Sequence, residues 1–143
     1  MSLPKPVPGL VLRYSYLWAD DAAAGADTGK DRPVAIVMTV SDDAETRVVV
    51  LPITHAAPMP GSEALEIPAD VCRRAGLDQL RCWIVLSEYN EFIWPGYDLA
   101  LIPGRTPPSM AYGFLTPGFF NSVRQALITT LKAKRAVKVL RAD

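Results

Sequence analysis

Two consecutive runs of β-branched and apolar residues constrain this chain most. Arg32-Pro33 opens the first, Val34 to Val40 (VAIVMTV), and the second runs from Thr46 to Ile53 (TRVVVLPI). Val and Ile are stiff at χ1 and suit a pleated, half-buried surface. Ser41-Asp42-Asp43-Ala44 between them is turn chemistry, so the pair predicts an antiparallel hairpin. Proline has no N–H to give to a ladder, so Pro52 predicts an edge or the end of the second strand.

The rest of the chain supplies more short elements. Gly9 to Trp18 (GLVLRYSYLW) reads as an earlier strand, with Tyr14, Tyr16 and Trp18 on one face. Ala64 to Ile67, Arg81 to Leu86 and Leu99 to Ile102 read as further short strands. Residues 19–31 are small and polar and predict a long loop. Residues 1–8 hold three prolines and predict an irregular arm. Residues 87–96 read as an aromatic-rich connection and 103–113 as a proline-rich loop.

Pro68 to Gly76 predicts one short helix, with proline near its start and glycine past its end. Thr116-Pro117 predicts the start of a long amphipathic helix reaching about Val137, with Phe120, Val123, Leu127 and Leu131 at helical spacing. Short strands followed by a terminal helix predict one mainly β (α+β) domain over residues 1–143, an antiparallel barrel with peripheral helices.

A formal charge of zero on 143 residues argues against wholesale nucleic-acid binding, which favours a basic domain, and leaves room for a local basic patch. Lys132, Lys134, Arg135, Lys138 and Arg141 form a basic stretch, read first as solvated and favourable to the helix C-terminus. Met-Ser-Leu-Pro-Lys-Pro-Val-Pro lacks an apolar run of signal-peptide length, and no run reaches the length of a membrane span. A cytoplasmic protein is expected, with Cys72 and Cys82 as reduced thiols. His55 is the single histidine, which excludes a His-rich metal site.

Four segments, in order, resemble the PemK/MazF family of toxin endoribonucleases across nearly the whole chain. They are the strand after Pro8-Gly9; the loop Gly25-Ala26-Asp27-Thr28-Gly29-Lys30-Asp31-Arg32-Pro33; Val50-Leu51-Pro52-Ile53-Thr54; and Gly76-Leu77 followed by Trp83-Ile84-Val85-Leu86. The resemblance implies an SH3-like antiparallel barrel, a homodimer, a small antitoxin partner, no cofactor, and metal-free cleavage of single-stranded RNA. By motif position it makes Arg32 the catalytic arginine and Thr54 the catalytic threonine, with Asp27 where many members carry an acidic loop residue. After Leu86 the family usually shows an Asp-Gln-like pair, whereas this chain has Ser87-Glu88.

The chemistry suits these residue types. Metal-free cleavage uses the 2′-hydroxyl beside the scissile phosphate as nucleophile. It needs a base, an acid and a donor for the growing charge on phosphorus. Arginine fits the last role, because its planar fork stays charged and matches phosphate oxygens. Thr54 brings a hydroxyl donor, and His55 the one side chain whose ordinary pKa lies near neutrality. Asp27 and Glu88 are the candidate carboxylate bases, and Tyr16, Lys30 and Glu88 the candidate RNA contacts. Each has a plainer reading beside it: a solvated strand start for Arg32, a turn former for Asp27, a core aromatic for Tyr16. Two other functions compete: a non-catalytic barrel module that binds a partner protein, motivated by Ser87-Glu88 and the neutral charge, and a gyrase-directed toxin on the same scaffold.

Overall fold

A computed structural model describes residues 3–141. The order is β1 (Leu10–Tyr16), α1 (Ala19–Ala23), β2 (Lys30–Ser41), β3 (Thr46–Thr54), β4 (Ala64–Glu66), α2 (Ala69–Arg74), β5 (Trp83–Val85), β6 (Glu88–Ile93), β7 (Ala111–Phe114), α3 (Pro117–Lys132) and β8 (Val137–Leu140). The chain is mainly antiparallel sheet with a few helices, an α+β fold. None of the helices among the described residues is long and apolar enough to cross a membrane.

The expected hairpin is β2–β3, closing at Ser41↔Thr46. Its turn is held by Asp42, whose carboxylate accepts from the N–H groups of Ala44 and Glu45 at 2.8 and 2.9 Å. The sheet runs β4-β5-β3-β2-β1-β7, with β6 also on β3 and β8 parallel to β6. Pro52 does not end β3: it pairs with Val34 inside the strand. On its other side β3 pairs with β6 through Arg47–Val50 and with β5 through Ile53–Thr54. Leu51 and Pro52 fall at the changeover, where a missing N–H removes no ladder bond.

Both faces of the sheet are covered. One carries Val11, Ala35, Leu51, Ile53 and Ile84 against Val71 and Cys72 of α2 and Val123 and Leu127 of α3. The other carries Leu12, Tyr14, Tyr16, Val34, Ile36, Val48, Val50 and Phe92. There Tyr14 stacks on Phe92 with ring centroids 4.8 Å apart, an offset geometry that adds to the area buried.

Several expected boundaries differ. The aromatic connection 87–96 contains β6, whose inward positions are Asn90 and Phe92. Leu99–Ile102 is not a strand; Leu99 makes one isolated bridge to Tyr14. The proline-rich segment ends in β7, which pairs with β1. The loop 19–31 holds α1, and β2 starts at Lys30. Helix α3 has Pro117 at its first position, but the Thr116 hydroxyl makes no capping bond. It stops at Lys132 rather than Val137, because Lys134 takes a left-handed conformation (φ 55°) and the chain turns into β8. Of the expected arm 1–8, residues 1 and 2 lie outside the described residues; residues 3–8 form no strand or helix.

Candidate functional site

Strand ends and two loops meet around an open cleft of about 580 Å³. Arg32 and Pro33 come from β2, Arg13 from β1, Ile53 and Thr54 from the end of β3, and His55 from the residue after it. Gly76, Leu77 and Asp78 follow α2, and Ile102, Arg105 and Tyr112 come from the far loop and β7. Three of the four expected catalytic residues, Arg32, Thr54 and His55, thus line one cleft, together with Lys30.

Register explains the meeting. Val34 faces Pro52, so two further steps along each strand bring Arg32 toward Thr54 on the same face of the ribbon. Their neighbours alternate to the other face, and β3 ends at Thr54, which frees His55 to turn into the cleft. The approach to Arg32 is equally constrained. A Cβ on Gly29 would stand 1.8 Å from the Tyr16 carbonyl oxygen, so only glycine lets this segment lie against β1. The Ser15 hydroxyl fixes it further, donating to the Gly29 carbonyl at 2.9 Å.

Arg32 is half-buried. Its guanidinium lies 5.0 Å from the Trp18 ring centroid, and its Nε is buried without an acceptor among the described residues. Burial pulls its pKa below the ordinary guanidinium value, with Tyr16 acting the other way; an arginine stays charged at neutral pH regardless. Arg32 and Lys30 also border a second hollow of about 440 Å³ beside Trp18, Asp21 and Thr28. The Thr54 oxygen accepts from the Ala56 N–H at 3.1 Å, which leaves its own proton free to donate.

His55 is exposed and held at both nitrogens. Nδ1 lies 2.8 Å from the Arg81 carbonyl and Nε2 3.1 Å from an Asp78 carboxylate oxygen. A carbonyl and a carboxylate only accept, so both bonds are made when both nitrogens carry protons. A ring so held gives a proton to a leaving oxygen only by exchanging one of these two acceptors for it.

The other sequence candidates lie elsewhere. Asp27 is exposed and lines neither hollow; its carbonyl accepts from Arg141. Tyr16, expected at an RNA surface, is 0 % exposed, and its hydroxyl donates to Glu88 at 3.1 Å. Burial, then the Glu88 charge, raises that phenol far above its ordinary value. Glu88 also accepts from the Ala19 N–H at 2.8 Å, and its role is to hold the exit of β1. Burial raises the Glu88 carboxyl, against the two hydrogen bonds that lower it.

Cys82 lines the cleft, and its sulfur lies 3.2 Å from that of Cys72; both are free thiols. Burial first, then Cys72, pushes the Cys82 thiol up to about 12. Arg13, Asp78 and Arg105 were not singled out from sequence. Their only signal was charge on elements that fold brings together. No family model matches this chain, and no curated protein matches it.

Proposed function

We propose that the protein is a toxin-like endoribonuclease on an SH3-like barrel, cleaving single-stranded RNA in the Arg32–Thr54–His55 cleft. The observation that carries this reading is that Arg32, a free hydroxyl donor and the single histidine line one cleft with Lys30. In the reaction the 2′-hydroxyl gives its proton to solvent water as its oxygen forms a bond to phosphorus, the bond from phosphorus to the 5′-oxygen breaks, and a cyclic phosphate is left. Arg32 stabilises the negative charge that grows on the phosphate oxygens, and Thr54 donates to one of them. His55 protonates the departing 5′-oxygen. Under the same reading the protein acts in the cytoplasm as a homodimer restrained by an antitoxin protein.

A second reading, a scaffold that binds a partner protein without chemistry, is favoured by the position of Asp27 and Glu88 outside the cleft. One experiment separates the two. Purified protein is incubated with long single-stranded RNA in excess chelator, beside an Arg32→Ala variant with an unchanged unfolding midpoint. The nuclease reading expects fragments ending in cyclic phosphate, and a loss of rate of a hundredfold or more in the variant, the range seen when one charge-stabilising donor is removed. No fragments from the parent protein would overturn the nuclease reading and leave the scaffold one, and equal fragments from both would overturn the role given to Arg32.

A further inference from the structure

Arg13 and Arg105 are the cleft cations that neither the motifs nor the reaction above employs, and Arg13 is the less occupied of the two. It sits mid-strand in β1, half-buried, and Nη1 donates to the Tyr112 hydroxyl at 3.1 Å. That bond uses one of its five N–H donors. No carboxylate pairs with it among the described residues, although Asp31 and Asp78 line the same cleft. Arg105, by contrast, is occupied: it donates to the carbonyls of Ala111, Tyr112 and Gly76, and clamps the far loop to the end of α2. Most of the Arg13 donors are thus available to an anion that enters the open cleft.

The register decides which anion. Arg13 faces Pro33 and Tyr14 faces Arg32, so Arg13 and Arg32 lie one step apart on the β1–β2 ribbon. Side chains alternate across a strand, so the two forks leave the ribbon on opposite faces. Their contacts agree: Arg32 lies over Trp18, and Arg13 reaches Tyr112. Both residues line the one cleft, and forks that approach it from opposite faces of the ribbon suit two phosphates better than one. Buried Ile53, Leu77 and Ile102 give the cleft an apolar lining.

We infer that Arg13 binds a second phosphate of the RNA, next to the scissile one held at Arg32 and Thr54, with the intervening nucleoside against the apolar lining. The inference rests on the RNA reading of the cleft but not on cleavage.

It is tested by binding. A fluorescent single-stranded 2′-O-methyl RNA, which lacks the nucleophile, is titrated by anisotropy at several salt concentrations. Each phosphate contact contributes about 0.7 to the slope of log K against log salt for a single strand. Arg13→Gln is expected to lower that slope by about 0.7 and weaken binding roughly tenfold, the size of a charge-assisted bond. Arg13→Lys keeps the slope, which separates charge from loss of fold. Arg13→Gln combined with Arg32→Gln lowers the slope by about twice as much, because the phosphates are separate. An unchanged slope in Arg13→Gln, a double variant no worse than either single one, or no binding by the parent protein would overturn the inference. Binding that depends on Arg13 in a protein that leaves unmodified RNA intact would remove the nuclease and keep the subsite. Cleavage with an Arg13-independent slope would do the reverse.

Discussion

Arg141 carries a charge into the interior, and its partners explain why the fold tolerates it. It is 4 % exposed, not solvated as its place in a basic stretch predicts. It pairs with Asp98 at 3.0 Å, and donates to the Ser15 carbonyl at 2.6 Å and the Asn90 side chain at 3.0 Å. The guanidinium thus joins β1, β6 and the loop before Leu99. Removing one partner of such a network leaves buried acceptors unpaired. Arg141→Ala is therefore expected to cost about 3–5 kcal/mol in a urea unfolding titration. Glu88 gives the opposite sign. Its carboxyl is raised in the folded protein by burial, so the folded state holds its proton more tightly than the unfolded state does. Its contribution to stability is fully present below the unfolded carboxylate pKa and is lost as pH rises through the folded value. Glu88→Gln still offers an oxygen to Tyr16 and Ala19 and removes the charge. Its thermal midpoint is expected to exceed the parent's at pH 7, with the gain shrinking below pH of about 4, where the parent carboxyl is itself protonated; an equal gain at both would contradict this account.

At the scale of elements, what the sequence reveals depends on where each element finds its partners. β2 and β3 announce themselves because both faces of the ribbon are buried in apolar neighbours, so Val and Ile run almost unbroken. β6 hides because one inward position is Asn90, 0 % exposed. That amide belongs inside only because its oxygen accepts from the Leu17 N–H at 3.0 Å and its nitrogen donates to the Leu17 carbonyl at 2.8 Å. Partners 73 residues away leave no mark on local periodicity. β7 hides for a similar reason, as a strand of half-buried residues at the end of a proline-rich loop. β8 is masked by helical periodicity that runs on past the point where Lys134 breaks it. The candidate site divides the same way. The order of short motifs singles out Arg32 and Thr54, and the near-neutral pKa of an ordinary imidazole singles out His55; the fold brings the three to one cleft. Arg13, Asp78 and Arg105 were not, because β1, the turn after α2 and the far loop share a cleft only once the sheet has formed. Asp27 has the right residue type at a suggestive spacing, yet its side chain lines neither hollow while its backbone serves Arg141.

For the molecule as a whole, a net charge of zero is compatible with the proposed nucleic-acid site because charge is sorted by place. Arg47, Arg81 and Arg135 are paired with carboxylates on the surface. Arg13, Lys30, Arg32 and Arg105 line the cleft without such partners among the described residues, facing only Asp31 and Asp78. Four cations against two carboxylates in the cleft attract a polyanion locally although the whole chain is neutral, so binding is expected to depend on few phosphates and to saturate on short strands. Under the proposed mechanism the cleft supplies donors and a proton, while the substrate supplies its own nucleophile. Binding and cleavage should then respond to different parts of the ligand. An RNA carrying a single 2′-deoxy nucleotide at the mapped cleavage position keeps every phosphate and loses the attacking oxygen. Its affinity is expected to match that of the unmodified strand within about twofold, because the phosphate contacts that dominate binding are intact. Its cleavage at that position is expected to vanish, while neighbouring sites on the same strand are still cut. Continued cutting at the deoxy position would mean that water or a side chain attacks phosphorus. Arg32 and Thr54 would then still fit a phosphate site, but His55 would need a different task.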